Sequence, residues 1–252
     1  FQTIGLLHSR NFIKMKINLN GTANLGDFLN ALPVLSGISK TCGKTHLIIR
    51  SEMRKFKGIK EFLLYQDLFT EVDFEDDVIL IGNIKQMSSW PIREDKNNPN
   101  RPIETCRYEN FMKDHYKMEF EVDDDFILKI DDSLNLDMND GYYGGDRWSG
   151  PDIDTRRKSW TLCDLPNITW LDYNESIMNN AYIIKYTKKP FISTFTGISG
   201  LADLLNKEQV VLWGEDIRNW DNKPIEYSFQ KHYYGNRNSK LLYLGDFEEN
   251  GL

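Results

Sequence analysis

Asn24-Leu25-Gly26-Asp27-Phe28-Leu29-Asn30-Ala31-Leu32-Pro33-Val34-Leu35 is the stretch on which the fold of this chain turns. It follows the short apolar run Met15 to Leu19. Within and just beyond it, Leu25, Phe28, Leu29, Leu32, Leu35 and Ile38 recur at three- and four-residue steps, the spacing of a helix that lays one apolar stripe on a sheet. Gly26 would let the backbone turn tightly after the strand, and Asp27 would enter the first helical turn, where the helix dipole favours a carboxylate. Pro33 removes a hydrogen bond from a continuous helix and should bend its axis. Working outward, His46 to Ile49 forms a second apolar run, Ile59 to Phe69 a second helical stretch and Val78 to Ile81 a third apolar run. This is the βαβαβ rhythm of a parallel sheet.

Ile84 to Arg101, with Trp90-Pro91 and Asn97-Asn98-Pro99-Asn100, reads as a long polar loop, and Glu104 to Met118 as a helix. Residues 131 to 157 bring acidic pairs, then Gly141, Gly144, Gly145, Gly150 and Pro151, a composition that marks an interdomain passage. The alternation then resumes with Ile168 to Leu171, a helix near Glu175 to Tyr186, the run Phe191 to Phe195, a short helix Ile198 to Leu205, and Val210 to Trp213. The expected architecture is α/β, with two parallel-sheet domains over residues 15–140 and 141–252. Phe1-Gln2 looks like a tag remnant and Met15 like a natural start, so residues 1–14 are expected to be tag or extension.

The 252 residues are 40% hydrophobic and 27% charged, which excludes disordered, collagenous and coiled-coil classes. Runs such as Val78 to Ile81 fall far short of the ~20 apolar residues that span a bilayer, and no leader-like segment opens the chain. The net charge of −7 disfavours non-specific coating of nucleic acid. Cys42, Cys106 and Cys163 are widely separated and form no CxxC pair, so a reducing cytoplasmic location is expected, without disulfides or a zinc site. His8, His46, His115 and His232 are scattered outside metal-binding motifs and are expected to be structural or on the surface. Neither GxGxxG nor GxxxxGK[ST] occurs, which removes the usual dinucleotide and P-loop readings.

An aspartate at the carboxyl end of a parallel strand points into the crevice where such sheets bind ligands, although Asp is also favoured at a helix start for stability alone. The order Gly26-Asp27-Phe28-Leu29, then Pro33-Val34-Leu35, resembles the opening motif of the ADP-heptose lipopolysaccharide heptosyltransferases. These are glycosyltransferases of two facing Rossmann-like domains, the GT-B fold. The resemblance gives Pro33 a place in the helix and implies that Asp27 is the catalytic base on the acceptor hydroxyl, with Gly26 and Asn30 beside it on the acceptor side.

Phe191 to Leu205, followed by Val210-Val211-Leu212-Trp213-Gly214, is similar to that family's strand, Ser/Thr-Gly turn, helix and following strand. Thr196, Gly197 and Ser199 are then donor-binding candidates, since backbone N–H groups at a helix start can cradle a diphosphate. Lys158-Ser159-Trp160 is similar to the family's Lys-x-Trp segment and adds Lys158, with Arg147 nearby, as cations for the leaving diphosphate. Phe195 stands where the family has Asp and Gly200 where it has His; neither change removes the backbone cradle.

The resemblance implies an inverting transfer from a nucleotide-sugar donor, with no bound metal and no other cofactor. The acceptor it implies is lipopolysaccharide or another surface glycan. The abundance of Asn, Lys and Ile also suits a low-GC bacterial or phage gene, and a hydroxymethylated base in phage DNA is the alternative acceptor. That acceptor would need a basic rim, for which Lys85, Arg93, Lys96, Arg101 and Arg107 are the candidates. A non-catalytic nucleotide- or sugar-binding protein on the same scaffold is the competing class. Asp152-Ile153-Asp154 matches a metal-binding DxD but follows Gly-Pro rather than a strand, and Asp137 to Arg147 lacks the ligand alternation of a calcium loop. The stretch Glu215 to Leu252, with Trp220, Tyr233 and Tyr234, carries no motif and could hold nucleobase contacts or close the fold.

Overall fold

The computed structural model describes residues 15–19, 24–78, 98–145, 167–213, 225–243 and 246. The chain begins with β1 (Lys16–Asn18), α1 (Leu25–Leu29), α2 (Leu32–Cys42), β2 (Thr45–Ile49), α3 (Ile59–Tyr65) and β3 (Phe69–Phe74). The three strands form one parallel sheet in the order β1-β2-β3, with Ile17 opposite Leu47 and Leu47 opposite Val72. After α4 (Ile103–His115), the chain continues through β4 (Tyr142–Gly145), β5 (Ile168–Trp170), α5 (Ile177–Tyr186), β6 (Phe191–Thr194), α6 (Gly197–Leu204), β7 (Gln209–Trp213), α7 (Ile225–His232) and β8 (Ser239–Tyr243). These strands form a second parallel sheet, ordered β5-β4-β6-β7-β8.

Three details depart from the sequence expectations, and a fourth expectation lies almost wholly outside the described residues. The helix expected across Leu25 to Ile38 is two helices, because the chain turns at Asn30 and Ala31 and Pro33 falls in the first turn of α2. There its missing N–H has no intrahelical partner to lose, so the proline starts a helix rather than bending one. Helix α3 stops at Tyr65, and Phe69–Phe74, partly assigned to that helix from its apolar spacing, is strand β3. Of the run Val78 to Ile81, only Val78 lies within the described residues, and it follows a 3-10 turn at Glu75–Asp77. Gly144 and Gly145, read as linker glycines, end strand β4 in the second sheet. A Cβ on Gly145 would lie 2.5 Å from Ile198 Cγ2 and 3.0 Å from Phe191, so the glycine lets α6 settle onto the sheet.

The two sheets share one apolar core. It runs from Ile17, Leu47 and Phe62 through Phe111 and Met112 to Phe191, Ile198 and Leu201, all buried. Full burial of such side chains contributes about 1.5–3 kcal/mol each. The segment after α4 runs along the seam between the halves. Asp123 donates its N–H to the Pro33 carbonyl at 3.1 Å, and Leu128 donates to the Leu204 carbonyl at 3.0 Å. Gln66 exchanges two hydrogen bonds with the Lys129 backbone, at 3.1 and 2.8 Å. Gly37 is needed for this packing, since a Cβ there would stand 1.9 Å from the Glu121 carbonyl oxygen.

Candidate active site

The starts of α1 and α6 meet. Asn24, in extended conformation, precedes α1, which places Asp27 in its first turn. Thr196, also extended, precedes α6 and caps it: Ser199 Oγ accepts from Thr196 N at 3.1 Å, and the Thr196 side chain accepts from the Ser199 N–H. A Cβ on Gly197 would lie 2.7 Å from Leu25 Cβ and 2.9 Å from Gly26 N. Gly26 has no positive φ, so it is not a turn glycine; the close approach is made by Gly197, which closes on the Gly26 backbone. Gly200 carries the contact onward, with Leu29 Cδ1 at 3.6 Å from where its Cβ would be. A small residue at Gly200 therefore leaves α1 room to lie against α6.

Asp27 sits among charged groups from two other helices. Glu104, on α4 and only 3% exposed, pairs through Oε2 with Arg107 Nη1 at 3.0 Å and through Oε1 with Lys231 Nζ of α7 at 3.5 Å. Burial raises the Glu104 pKa, Arg107 opposes the shift, and the negative charge of Asp27 adds to it. Burial lowers His232, the last residue of α7, to about 4, against the pull of Asp27 and with the help of Lys231 and Arg107. The imidazole is therefore neutral at neutral pH. Arg107 Nε is buried without a hydrogen-bond partner. Among the described residues, Asp27 joins no hydrogen bond or ion pair, which leaves its carboxylate available to a ligand.

The other expected site residues divide. Thr196 and Gly197 stand at the start of α6, one residue from contact with Gly26 or touching it. Ser199 is fully buried, its hydroxyl held by the Thr196 backbone and by Tyr233, so its side chain caps the helix instead of meeting a donor. Asn30 is 6% exposed and ties α1 to α4: its Nδ2 donates to the Gly26 carbonyl at 3.0 Å, and Thr105 Oγ1 donates to its backbone carbonyl at 3.1 Å. Neither of these two side chains is placed to bind substrate. Arg147, Lys158, Asp152, Asp154, Lys85, Arg93, Lys96, Cys163, Gly214 and Trp220 lie outside the described residues.

Arg101 is not a rim residue. It grips Asp124 with two hydrogen bonds of 2.7 and 2.6 Å and Glu109 with a third of 2.8 Å, and its side chain is 9% exposed. Arg107 is occupied by Glu104. Phe195 meets the edges of Phe229 and Tyr233 and so fastens α7 beside the start of α6.

One group among the described residues has metal-ligand chemistry: His46, Glu71 and Asp73, whose ligand atoms lie within 4.8 Å of one another. His46 Nε2 faces Asp73 Oδ2 at 3.0 Å and Nδ1 faces Glu71 Oε2 at 3.7 Å, while Lys60 Nζ bonds Asp73 Oδ1 at 3.1 Å. The two carboxylates engage different ring nitrogens and a lysine already neutralises one of them, so the group reads as an ion-pair chain. His46 is also near the amino end of β2, whereas open parallel sheets bind ligands beyond the carboxyl ends.

Sequence reasoning missed Glu104, Lys231 and His232 as neighbours of Asp27. They lie far apart in the chain, and no local motif announces them.

No protein-family model matches the chain, and no curated protein matches it in sequence. Among solved structures, it is similar to a family 9 glycosyltransferase from Veillonella parvula, with 11% identity and a TM-score of 0.50 over 95% of this chain and 88% of that one. It also matches the E. coli heptosyltransferase WaaC with ADP, with 11% identity and a TM-score of 0.49 over 94% of this chain and 100% of that one. The first likeness establishes the fold: two parallel-stranded sheets with helices, in the manner of GT-B glycosyltransferases. No helix among the described residues is long and apolar enough to cross a membrane.

Proposed function

We propose that this chain is a glycosyltransferase that moves a sugar from a nucleotide-sugar to an acceptor hydroxyl, with inversion at the anomeric carbon. The observation that carries this reading is the juxtaposition of an unpartnered Asp27 with the start of α6, where Gly197 touches Gly26. Asp27 accepts the proton of the acceptor hydroxyl as the new C–O bond forms. The bond from the anomeric carbon to the diphosphate breaks with its electron pair leaving on the diphosphate, whose charge the first N–H groups of α6 stabilise. Lys158 and Arg147 are the side-chain cations assigned to the same leaving group on sequence grounds. With that charge met by backbone and side chains, the reaction requires no metal.

Residues 15–140 form the acceptor side in this reading and residues 141–252 the nucleotide-sugar side. A cytoplasmic place of action accords with Cys42 and Cys106, which form no disulfide among the described residues. A glycan acceptor is favoured over a DNA base, because two of the five cations available for a DNA rim, Arg101 and Arg107, are committed to carboxylates of the fold, Asp124 and Glu109 for the first and Glu104 for the second. A purely binding role is disfavoured by the retained, unpartnered Asp27.

The test is release of nucleoside diphosphate from ADP-, UDP-, GDP- and CDP-sugars in the presence of candidate glycans and of hydroxymethylated DNA. Turnover that survives EDTA and collapses in Asp27→Asn supports the reading. Turnover abolished by EDTA and restored by manganese returns the case to Asp152 and Asp154, and donor binding without any transfer supports a binding protein.

A further inference from the structure

Helix α7 ends at His232, which feels the charge of Asp27, and its neighbours fix where it ends. Phe229 and Tyr233 stack on each other, with ring centres 4.6 Å apart and planes 17° apart, and both meet Phe195 before α6. The buried Tyr233 hydroxyl shares a hydrogen bond with Ser199 in the first turn of α6. On the other side Lys231 reaches Glu104 of α4, Gln230 Nε2 donates to the Pro99 carbonyl at 3.2 Å, and Gly235 N donates to the Asn100 carbonyl at 2.9 Å. His232 lies between the residues that do this anchoring and does none of it. Among the described residues, neither of its ring nitrogens makes a hydrogen bond or ion pair. The same holds for Asp27, whose neighbour Gly26 packs against Gly197 and whose charge is felt at His232.

We infer that His232 belongs to the acceptor site, where its ring nitrogen accepts a hydrogen bond from an acceptor hydroxyl next to the one that Asp27 deprotonates. The acceptor class is then a sugar with adjacent hydroxyls at the reacting end. This inference rests on the glycosyl-transfer reading of Asp27. The proton of the attacking hydroxyl goes to Asp27, and His232 neither gains nor loses one.

The role needs a neutral ring, because an imidazolium has no acceptor nitrogen. The charged groups that face His232 are Asp27 of α1, Arg107 of α4 and Lys231 of its own helix; two cations together with burial outweigh one carboxylate. Glu104 ties those two cations in place. A helix that follows the nucleotide-sugar half in sequence would thus complete the acceptor pocket of the other half.

The experiment is imidazole NMR on the ADP-loaded protein titrated with methyl glycosides of glucose, galactose and mannose, with His232 signals assigned by their loss in His232→Gln. At least one glycoside should shift the His232 signals. His232→Ala should weaken that glycoside about three- to tenfold, the worth of one neutral hydrogen bond. His232→Gln, which keeps an acceptor oxygen, should recover part of the loss, and ADP affinity should not change in either variant. Glycosides that leave His232 unmoved, or that bind His232→Ala as well as wild type, overturn the inference. If glycosides shift His232 yet Asp27→Asn transfers sugar at the wild-type rate, the general-base reading falls and glycoside binding at His232 stands. The two failures are therefore distinct.

Discussion

Gly197 lies against Leu25 and Gly26 so closely that a Cβ on it would stand 2.7 Å from Leu25 Cβ and 2.9 Å from Gly26 N. The second of these is backbone and cannot rotate away. Gly197→Ala is therefore expected to force α1 and α6 apart, at a cost of about 1–3 kcal/mol, as for overpacked cores. Gly26→Ala should cost much less, because its Cβ would find Gly197 Cα at 3.4 Å, an ordinary contact. Urea denaturation of the two variants checks the contrast, and equal midpoints would contradict the contact.

Asp27→Asn keeps shape and removes the proton acceptor. Because Asp27 joins no hydrogen bond or ion pair among the described residues, the melting temperature should move little. Turnover should fall by about 10²–10⁴-fold, the usual worth of general-base catalysis. A variant that melts several degrees lower with unchanged turnover would make Asp27 a helix-start residue only.

Glu104→Ala leaves Arg107 and Lys231 facing each other without the carboxylate between them. Removing one member of a buried ionic group costs about 3–5 kcal/mol, and a cost near this range is expected from equilibrium unfolding. Glu104→Gln keeps the volume and should fall between wild type and Glu104→Ala. If both variants unfold like the wild type, α7 does not depend on this bridge.

The pH dependence of stability has two opposing parts. His232 titrates at about 4 in the fold, below its ordinary value of 6.5. As pH falls through 6.5 the unfolded chain takes up a proton that the folded chain refuses, so this group removes stability down to about pH 4. Asp203, 2% exposed, is raised by burial to about 6 against the opposing charge of Arg237, from an ordinary 3.8. Below pH 6 the folded chain holds the extra proton, so this group adds stability as pH falls toward 3.8. Each part contributes a slope of up to about 1.4 kcal/mol per pH unit. His232→Asn should therefore make the protein relatively more acid-tolerant and Asp203→Asn relatively less. Urea midpoints at a series of pH values from 4 to 7 read both signs, and parallel profiles for the two variants would refute the assignment.

Local periodicity made the alternation of strands and helices legible, and with it the parallel sheets. What it could not carry was context. Pro33 bends a helix or starts one depending on where the preceding turn falls, and that turn is made at Asn30, whose side chain bonds Gly26 and whose backbone bonds Thr105, 75 residues away. Gly145 looks like a linker residue until α6 is packed over it, and Gly144 until β5 and β6 flank it. Phe69–Phe74 hides its strand character because its buried Phe69, Val72 and Phe74 are broken by the exposed pair Thr70 and Glu71 rather than by strict alternation. The Glu104, Lys231 and His232 group depends on α7, which carries no motif and is held by aromatic contacts to Phe195.

The bond from Leu128 to the Leu204 carbonyl joins residues that leave the ribosome far apart in time. Until residues 191–205 have been made, the first half must hold Leu25, Leu29 and Phe126 without the helix that covers them, since all three belong to the core shared with Ile198 and Leu201. The early half is thus an unfinished surface rather than a free-standing domain. Its last steps of folding wait for the synthesis of α6, and cutting the chain between the sheets would yield two sticky fragments instead of two enzymes' worth of modules.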